Sequence, residues 1–147
     1  MTSDLFLQAA IEEARRSLAE GGIPIGSVLV HEGKIIGRGH NCRVQTGSAI
    51  DHGEMNCLRN AGRLSASVYR SCTIYSTLSP CPMCGGAIVL YKIPRVVVGE
   101  NQTFQGAEQY MRANGIEVEV RQDAECVQLM TDFIVARPEL WNEDIGE

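Results

Sequence analysis

The chain has 147 residues, 44% of them hydrophobic and 21% charged, with a formal net charge of −5. That length suits one domain, able to bury roughly two thirds of its unfolded surface without a disulfide scaffold. The 13 basic residues are scattered, with no run longer than Arg15-Arg16, which argues against nucleic acid and leaves a small neutral substrate open. No apolar run approaches the about 18 residues that span a bilayer, so no membrane contact is expected.

Residues 3–20 read as an amphipathic helix, capped by Ser3 or Asp4, with Leu7, Ile11, Ala14 and Leu18 inward and Gly21-Gly22 as its stop. Residues 27–30 and 34–39 are two short strands about the turn His31-Glu32-Gly33. Residues 40–50 are polar and irregular, a loop of the kind that carries function. A helix starts near His52, reaches about Ala61 and ends at Gly62. Residues 72–77 alternate as a strand. The next helix starts at Cys81, with Pro82 in its first turn, where a missing N–H costs little. From Met83 to Tyr91 it is apolar nearly all round, which predicts burial on most sides. Val96-Val97-Val98 is expected in an inner parallel strand. Phe104, Ala107 and Met111 suggest a further helical face. Ile116, Val118 and Val120 alternate with Glu117, Glu119 and Arg121 as a half-solvated strand. Residues 123–136 form a last long helix with Val127, Met130 and Ile134 inward, and 137–147 a tail. The order α-β-β-α-β-α-β-α-β-α implies one central sheet with helices on both faces.

Two fragments carry chemistry, His52-Gly53-Glu54 and Pro80-Cys81-Pro82-Met83-Cys84. Cysteines three apart on a first helical turn present both sulfurs to one ion, and His52 would add a nitrogen. Three protein ligands leave a tetrahedral position for water, the mark of a catalytic zinc; bound water then has a pKa near 7 instead of about 15.7. Glu54 is free to move protons beside it. Alone, Cys-x-x-Cys could be a zinc knuckle, a redox pair or chance, and His-x-Glu is noise. Together, in this order, at two expected helix starts along one edge of the sheet, they match the His-x-Glu…Pro-Cys-x-x-Cys signature of zinc-dependent base deaminases.

Six cysteines, Cys42, Cys57, Cys72, Cys81, Cys84 and Cys126, are too unevenly spaced for a small secreted framework. The N-terminus Met1-Thr2-Ser3-Asp4 has no basic n-region or apolar h-region. Both point to a reducing cytoplasm, with two metal thiolates and four free thiols. Cys57 and Cys72 read as small buried hydrophobes.

The chain resembles the fungal-type (yeast) cytosine deaminases of the cytidine/deoxycytidylate deaminase superfamily. Gly37-Arg38-Gly39-His40-Asn41, His52-Gly53-Glu54, Thr77-Leu78-Ser79-Pro80-Cys81, Val98-Gly99-Glu100-Asn101 and the tail Asp144-Ile145-Gly146-Glu147 carry the likeness. It implies a three-layer α/β/α sandwich with a five-stranded mixed sheet, a homodimer, one zinc per chain, and conversion of cytosine to uracil and ammonia. It also implies a pocket. Asn41 and the Gly53 N–H would bind the O2 side of the ring. The Ser79 carbonyl and Asp144 would accept from the leaving amine. Phe104, Trp141 and Ile145 would close over the ring, with 137–147 as a lid.

Asp51 and Ser27 depart from the family pattern. They read as a helix N-cap and an ordinary strand residue, or as changes in the pocket wall. Guanine, isocytosine or a substituted cytosine is the rival substrate. A non-catalytic zinc-stabilised binding module is the rival of another class.

Overall fold

A strand that is apolar at every position has to be covered on both faces. Val96, Val97 and Val98 are fully buried in that way. In the computed structural model, which describes residues 2–147, they lie in β4 (Arg95–Val98), one strand from the middle of the sheet. Met1 of the expected 1–147 domain lies outside the described residues. The other strands are β1 (Gly26–His31), β2 (Lys34–His40), β3 (Cys72–Ser76) and β5 (Glu117–Val120), in the order β2-β1-β3-β4-β5. β1 runs antiparallel to β2 and β3, whereas β3, β4 and β5 are parallel, so the sheet is mixed.

Side chains alternate across a strand, and the alternation sorts the core into layers. Val28, Val30, Tyr75 and Val97 pack with Leu7, Ala10 and Ile11 of α1 (Leu5–Ala19) and Cys126 of α7 (Ala124–Ala136). Leu29, Ile74, Val96 and Val98 pack on the opposite face. Their partners are Cys57 of α3 (Gly53–Ala61), Ile88 of α5 (Pro82–Tyr91) and Met111 of α6 (Glu108–Ala113). A third cluster, Ile23, Ile25, Leu78, Met130, Phe133 and Trp141, lies under α8 (Pro138–Asp144). Single-turn helices α2 (Arg43–Thr46) and α4 (Ala66–Tyr69) complete the chain. The expected three-layer α/β/α sandwich is what forms.

α3 presses directly onto β2, because Gly37 and Gly39 have no side chains there. A Cβ on Gly37 would stand 2.6 Å from that of Ala61, and one on Gly39 would run into Asn56 and the Cys57 backbone. That contact sets where the N-terminus of α3 points.

Several expectations are corrected. In α1 the inward stripe is Leu7, Ala10, Ile11, Ala14 and Ser17. Leu18 is 44% exposed, because the stripe turns toward Ser17, whose Oγ donates to the Asn41 carbonyl. The 40–50 segment contains α2, and α4 was not anticipated. Phe104 is not helical; it sits in the loop ahead of α6, whose inward residues are Glu108 and Met111. In α7 the buried residues are Cys126, Met130 and Phe133, with Val127 and Ile134 only half-buried. The tail is largely helix α8. In α5 only Cys84, Gly85 and Ile88 are buried, while Leu90 and Tyr91 face outward, so its all-round apolarity is not spent on this chain's core. Asp51 does not cap α3, since His52 holds that position. The buried Asp51 carboxylate instead accepts from Thr46, Asn56 and Arg59. Ser27 is a strand residue whose Oγ donates to the Tyr75 carbonyl.

Candidate active site and metal centre

Two helices start at the expected ligands: His52 is the N-cap of α3, and Cys81 is the N-cap of α5 with Pro82 in the first turn. Cys81 lies just beyond the carboxyl end of the central strand β3, which brings it to the start of α3. Helix N-termini carry unpaired N–H groups and partial positive charge, which favour thiolate. The Cys84 N–H accordingly points at Cys81 Sγ (3.5 Å).

His52 Nδ1 lies 3.4 Å from Cys81 Sγ, and the ligand atoms of His52, Cys81 and Cys84 are all within 4.8 Å of one another. Zinc bonds of about 2.0–2.1 Å to nitrogen and about 2.3 Å to sulfur place tetrahedral neighbours about 3.5 Å apart. The donor set and its spacing therefore fit one zinc ion. Among the described residues no fourth side chain joins this group.

The charges agree with that reading. Hydrogen bonding from Cys84, assisted by His52, pulls the Cys81 thiol down to about 4 against the cost of burial. Its partner Cys84 is pushed up, first by Cys81 and then by burial. Burial works against a charged His52, yet its bond to Cys81 and the nearby Asp144 and Glu54 raise it.

Glu54 sits in the first turn of α3, buried, and accepts from Ser76 Oγ at 3.1 Å. Burial pushes its carboxyl up to about 7, with the Cys81 charge adding to the rise. A carboxyl at that value gives and takes protons with equal ease near neutral pH.

The walls come from distant parts of the chain. Asp144 is buried and accepts from Asn41 Nδ2 at 2.8 Å, and its Oδ1 lies 3.7 Å from His52 Nε2. Burial raises its carboxyl, while His52 and Asn41 counter. Ser79 directs its Oγ away, donating to Glu108 (2.6 Å) and accepting from the Gly106 N–H (2.9 Å), so its backbone is what it offers the pocket. Phe104 and Trp141 meet edge to face at 5.6 Å. With Ile145 they cover a cavity of only ≈ 10 Å³, the space of about one water.

Of the expected residues, His52, Glu54, Ser79, Cys81, Phe104, Trp141, Asp144 and Ile145 line this cavity. Asn41, Gly53 and Cys84 stand one layer behind it. Gly53 lies against the backbone of Ile25 and Asn41. Sequence reasoning missed Ile25 and Leu78 in the lining, and it missed Glu108. Glu108 is 1% exposed and holds Ser79 and, through Asn101, the loop that carries Phe104. Its only signal was a carboxylate next to Ala107 on an inward helical face.

A family model described as the cytidine and deoxycytidylate deaminase zinc-binding region matches residues 1–100. The chain is 54% identical to the cytosine deaminase of Candida albicans over 142 residues, covering 96% of this chain and 95% of that one. It is 44% identical to the tRNA-specific adenosine deaminase of Bacillus subtilis over 101 residues, 67% of this chain and 63% of that one. A solved tRNA:A34 deaminase superposes with a TM-score of 0.74 at 26% identity, covering 85% and 98% of the two chains. The guanine deaminase of Nitrosomonas europaea shares the fold, with a TM-score of 0.73 at 20% identity, covering 91% and 85%. The chain belongs to the cytidine and deoxycytidylate deaminase family, and His52, Cys81 and Cys84 are the group in it that fits the family's zinc ion.

Proposed function

We propose that the protein hydrolyses free cytosine to uracil and ammonia, as a single zinc-dependent deaminase domain with residues 137–147 as its lid. The observation that carries this reading is the aromatic pair Phe104 and Trp141 set beside the metal group, a stacking surface for one flat base once α8 has moved aside. The match to the Candida albicans enzyme covers 96% of the chain, against 67% for the Bacillus subtilis tRNA-specific one.

Bound by His52, Cys81 and Cys84, zinc would supply the Lewis acidity that makes water a competent nucleophile near neutral pH. Glu54 takes a proton from the attacking water and gives it to the ring nitrogen beside the amine-bearing carbon. It then takes the remaining hydroxyl proton and gives it to the departing amine, so cytosine and water become uracil and ammonia. Asp144 and the Ser79 carbonyl accept from the amine. Asn41 and the Gly53 N–H hold the O2 side. Phe104, Trp141 and Ile145 stack and seal, which requires α8 to move for a base to enter.

The protein is further proposed to be a homodimer, formed through the outer faces of α3 and α5. Ile50 and Tyr91 are exposed there and line a largely apolar groove with Met55, Leu58 and Ala87, which Arg59 and Arg63 border, and Leu90 is exposed on α5 outside that lining. A second copy would give the apolar side of α5 the cover its own chain does not. We place the enzyme in the cytoplasm, where its six cysteines, none of them in a disulfide, would stay reduced; among the described residues no helix is long and apolar enough to cross a membrane.

The experiment is ammonia release from cytosine, cytidine, guanine and isocytosine, with zinc measured on the same sample. Turnover of cytosine above the others, at one zinc per chain, is expected. Release from guanine or isocytosine alone would reassign the substrate, and release from none would leave a binding module.

A further inference from the structure

Among the described residues, the geometric condition met by His52, Cys81 and Cys84 is met at one other place. Glu20, at the end of α1, and His40 and Cys42, on either side of Asn41, bring a carboxylate oxygen, an imidazole nitrogen and a sulfur within 4.8 Å of one another. Glu20 comes from the end of α1 and the other two from one segment at the end of β2, and each is a known type of zinc ligand.

The imidazole is already aimed. His40 Nδ1 is bonded at 2.8 Å to Oε1 of Glu13, a buried carboxylate that Arg38 also holds (2.7 Å). A carboxylate on one ring nitrogen orients the ring, as the supporting carboxylates of metal-bound histidines do, and leaves the other nitrogen to an ion that would replace its proton. That other nitrogen, Nε2, faces Glu20 Oε1 at 2.9 Å. Glu20 is exposed, so its side chain has the room to open the slightly wider spacing that a shared ion needs. The local field is negative. Burial, and then the charges of Asp51 and Glu20, push the Cys42 thiol up to about 11, so a cation there relieves what the thiolate alone would suffer.

The cluster is wired to the pocket. Asn41 lies between two of the ligands, its carbonyl accepts from Ser17 and from Gln45, and its amide donates to Asp144. Gln45 in turn donates to Glu20.

We infer that Glu20, His40 and Cys42 form a second zinc-type cation site behind the pocket, and that filling it lowers turnover by drawing Asn41 away from Asp144. Binding expels the Cys42 thiol proton, and any proton on His40 Nε2, to solvent. The inhibitory half rests on the proposed deamination; the site itself does not.

The test titrates cobalt(II) into protein carrying one zinc, and follows the thiolate-to-cobalt charge-transfer band alongside turnover in rising free zinc. A second equivalent with that band is expected in the wild type, lost in Cys42→Ser and weakened at least tenfold in Glu20→Gln. Turnover should fall at least twofold in the wild type and hold steady in Cys42→Ser. No second equivalent, or a band that survives Cys42→Ser, overturns the site. A second equivalent with unchanged turnover overturns the inhibition. Because the first zinc is counted separately, failure at His52, Cys81 and Cys84 is told apart from failure here.

Discussion

Asn41 and Asp144, 103 residues apart in the chain, are joined by a hydrogen bond of 2.8 Å. The bond ties the segment after β2 to the end of α8, so the pocket wall and its cover are one assembly. Asn41→Ala leaves the buried Asp144 without its amide donor, a loss of about 1–3 kcal/mol. KM for cytosine should rise about tenfold or more, with a smaller change in kcat. Steady-state kinetics decide it, and an unchanged KM removes Asn41 from the wall.

Glu54→Gln keeps the shape and the bond to Ser76 but removes the carboxyl proposed to relay protons. Positioned acid–base help is worth about 10²- to 10⁴-fold, and kcat should fall by that much. His52, Cys81 and Cys84 are untouched, so zinc should stay at one per chain by elemental analysis. Near-normal kcat at full zinc would falsify the role of Glu54.

Asp4 caps α1 through the Phe6 and Leu7 N–H groups and pairs with Arg121 at 2.9 Å. Burial works against its charge, but those bonds win and hold its carboxyl below the ordinary 3.8. A carboxyl depressed in the folded state stabilises above the unfolded value, and that stabilisation is lost as pH falls through the folded one. Asp4→Asn keeps a capping oxygen and loses the ion pair. It should cost roughly 0.5–1 kcal/mol at pH 7. The gap should close as pH drops below 3.8. Urea midpoints from neutral to acid pH check the sign: a gap that widens in acid contradicts it.

Leu90 is 66% exposed on α5. Leu90→Arg places a charge in the proposed subunit contact and should convert dimer to monomer in sedimentation velocity. The proposed zinc ligands, Cys81 and Cys84 at the opposite end of the same helix and His52 at the start of α3, should still bind one ion. A wild-type chain that sediments as a monomer at micromolar concentration dismisses the contact.

Much of this was readable from residue order. Val96-Val97-Val98 announced a strand covered on both sides, and Pro82 and Gly62 marked a helix start and stop. His52 and Cys81 were recognisable as ligands because the chemistry needs both fragments, and their meeting needed no knowledge of the path between them. What stayed hidden has physical reasons. α2 and α4 are single turns, too short for a 3.6-residue period to show. Phe104 fell in helical phase with Met111 by accident; Glu100, which accepts from the Gln102 and Thr103 N–H groups, instead holds that stretch as a loop. The exposure of α5 was misread because apolarity does not say whether the cover is one's own chain or a second one. Glu108 was invisible because a lone carboxylate looks like a solvated charge until Ser79 is seen donating to it.

The tightness of the space beneath Trp141 also bears on timing. Under the proposed lid role of residues 137–147, a chamber with room for little more than one solvent molecule opens once to load and again to discharge, two displacements of α8 in each cycle. A kcat that falls as sucrose thickens the medium, at saturating substrate, would show that this movement and not the bond-breaking at the ring limits throughput; a kcat indifferent to viscosity would assign the limit to the chemistry.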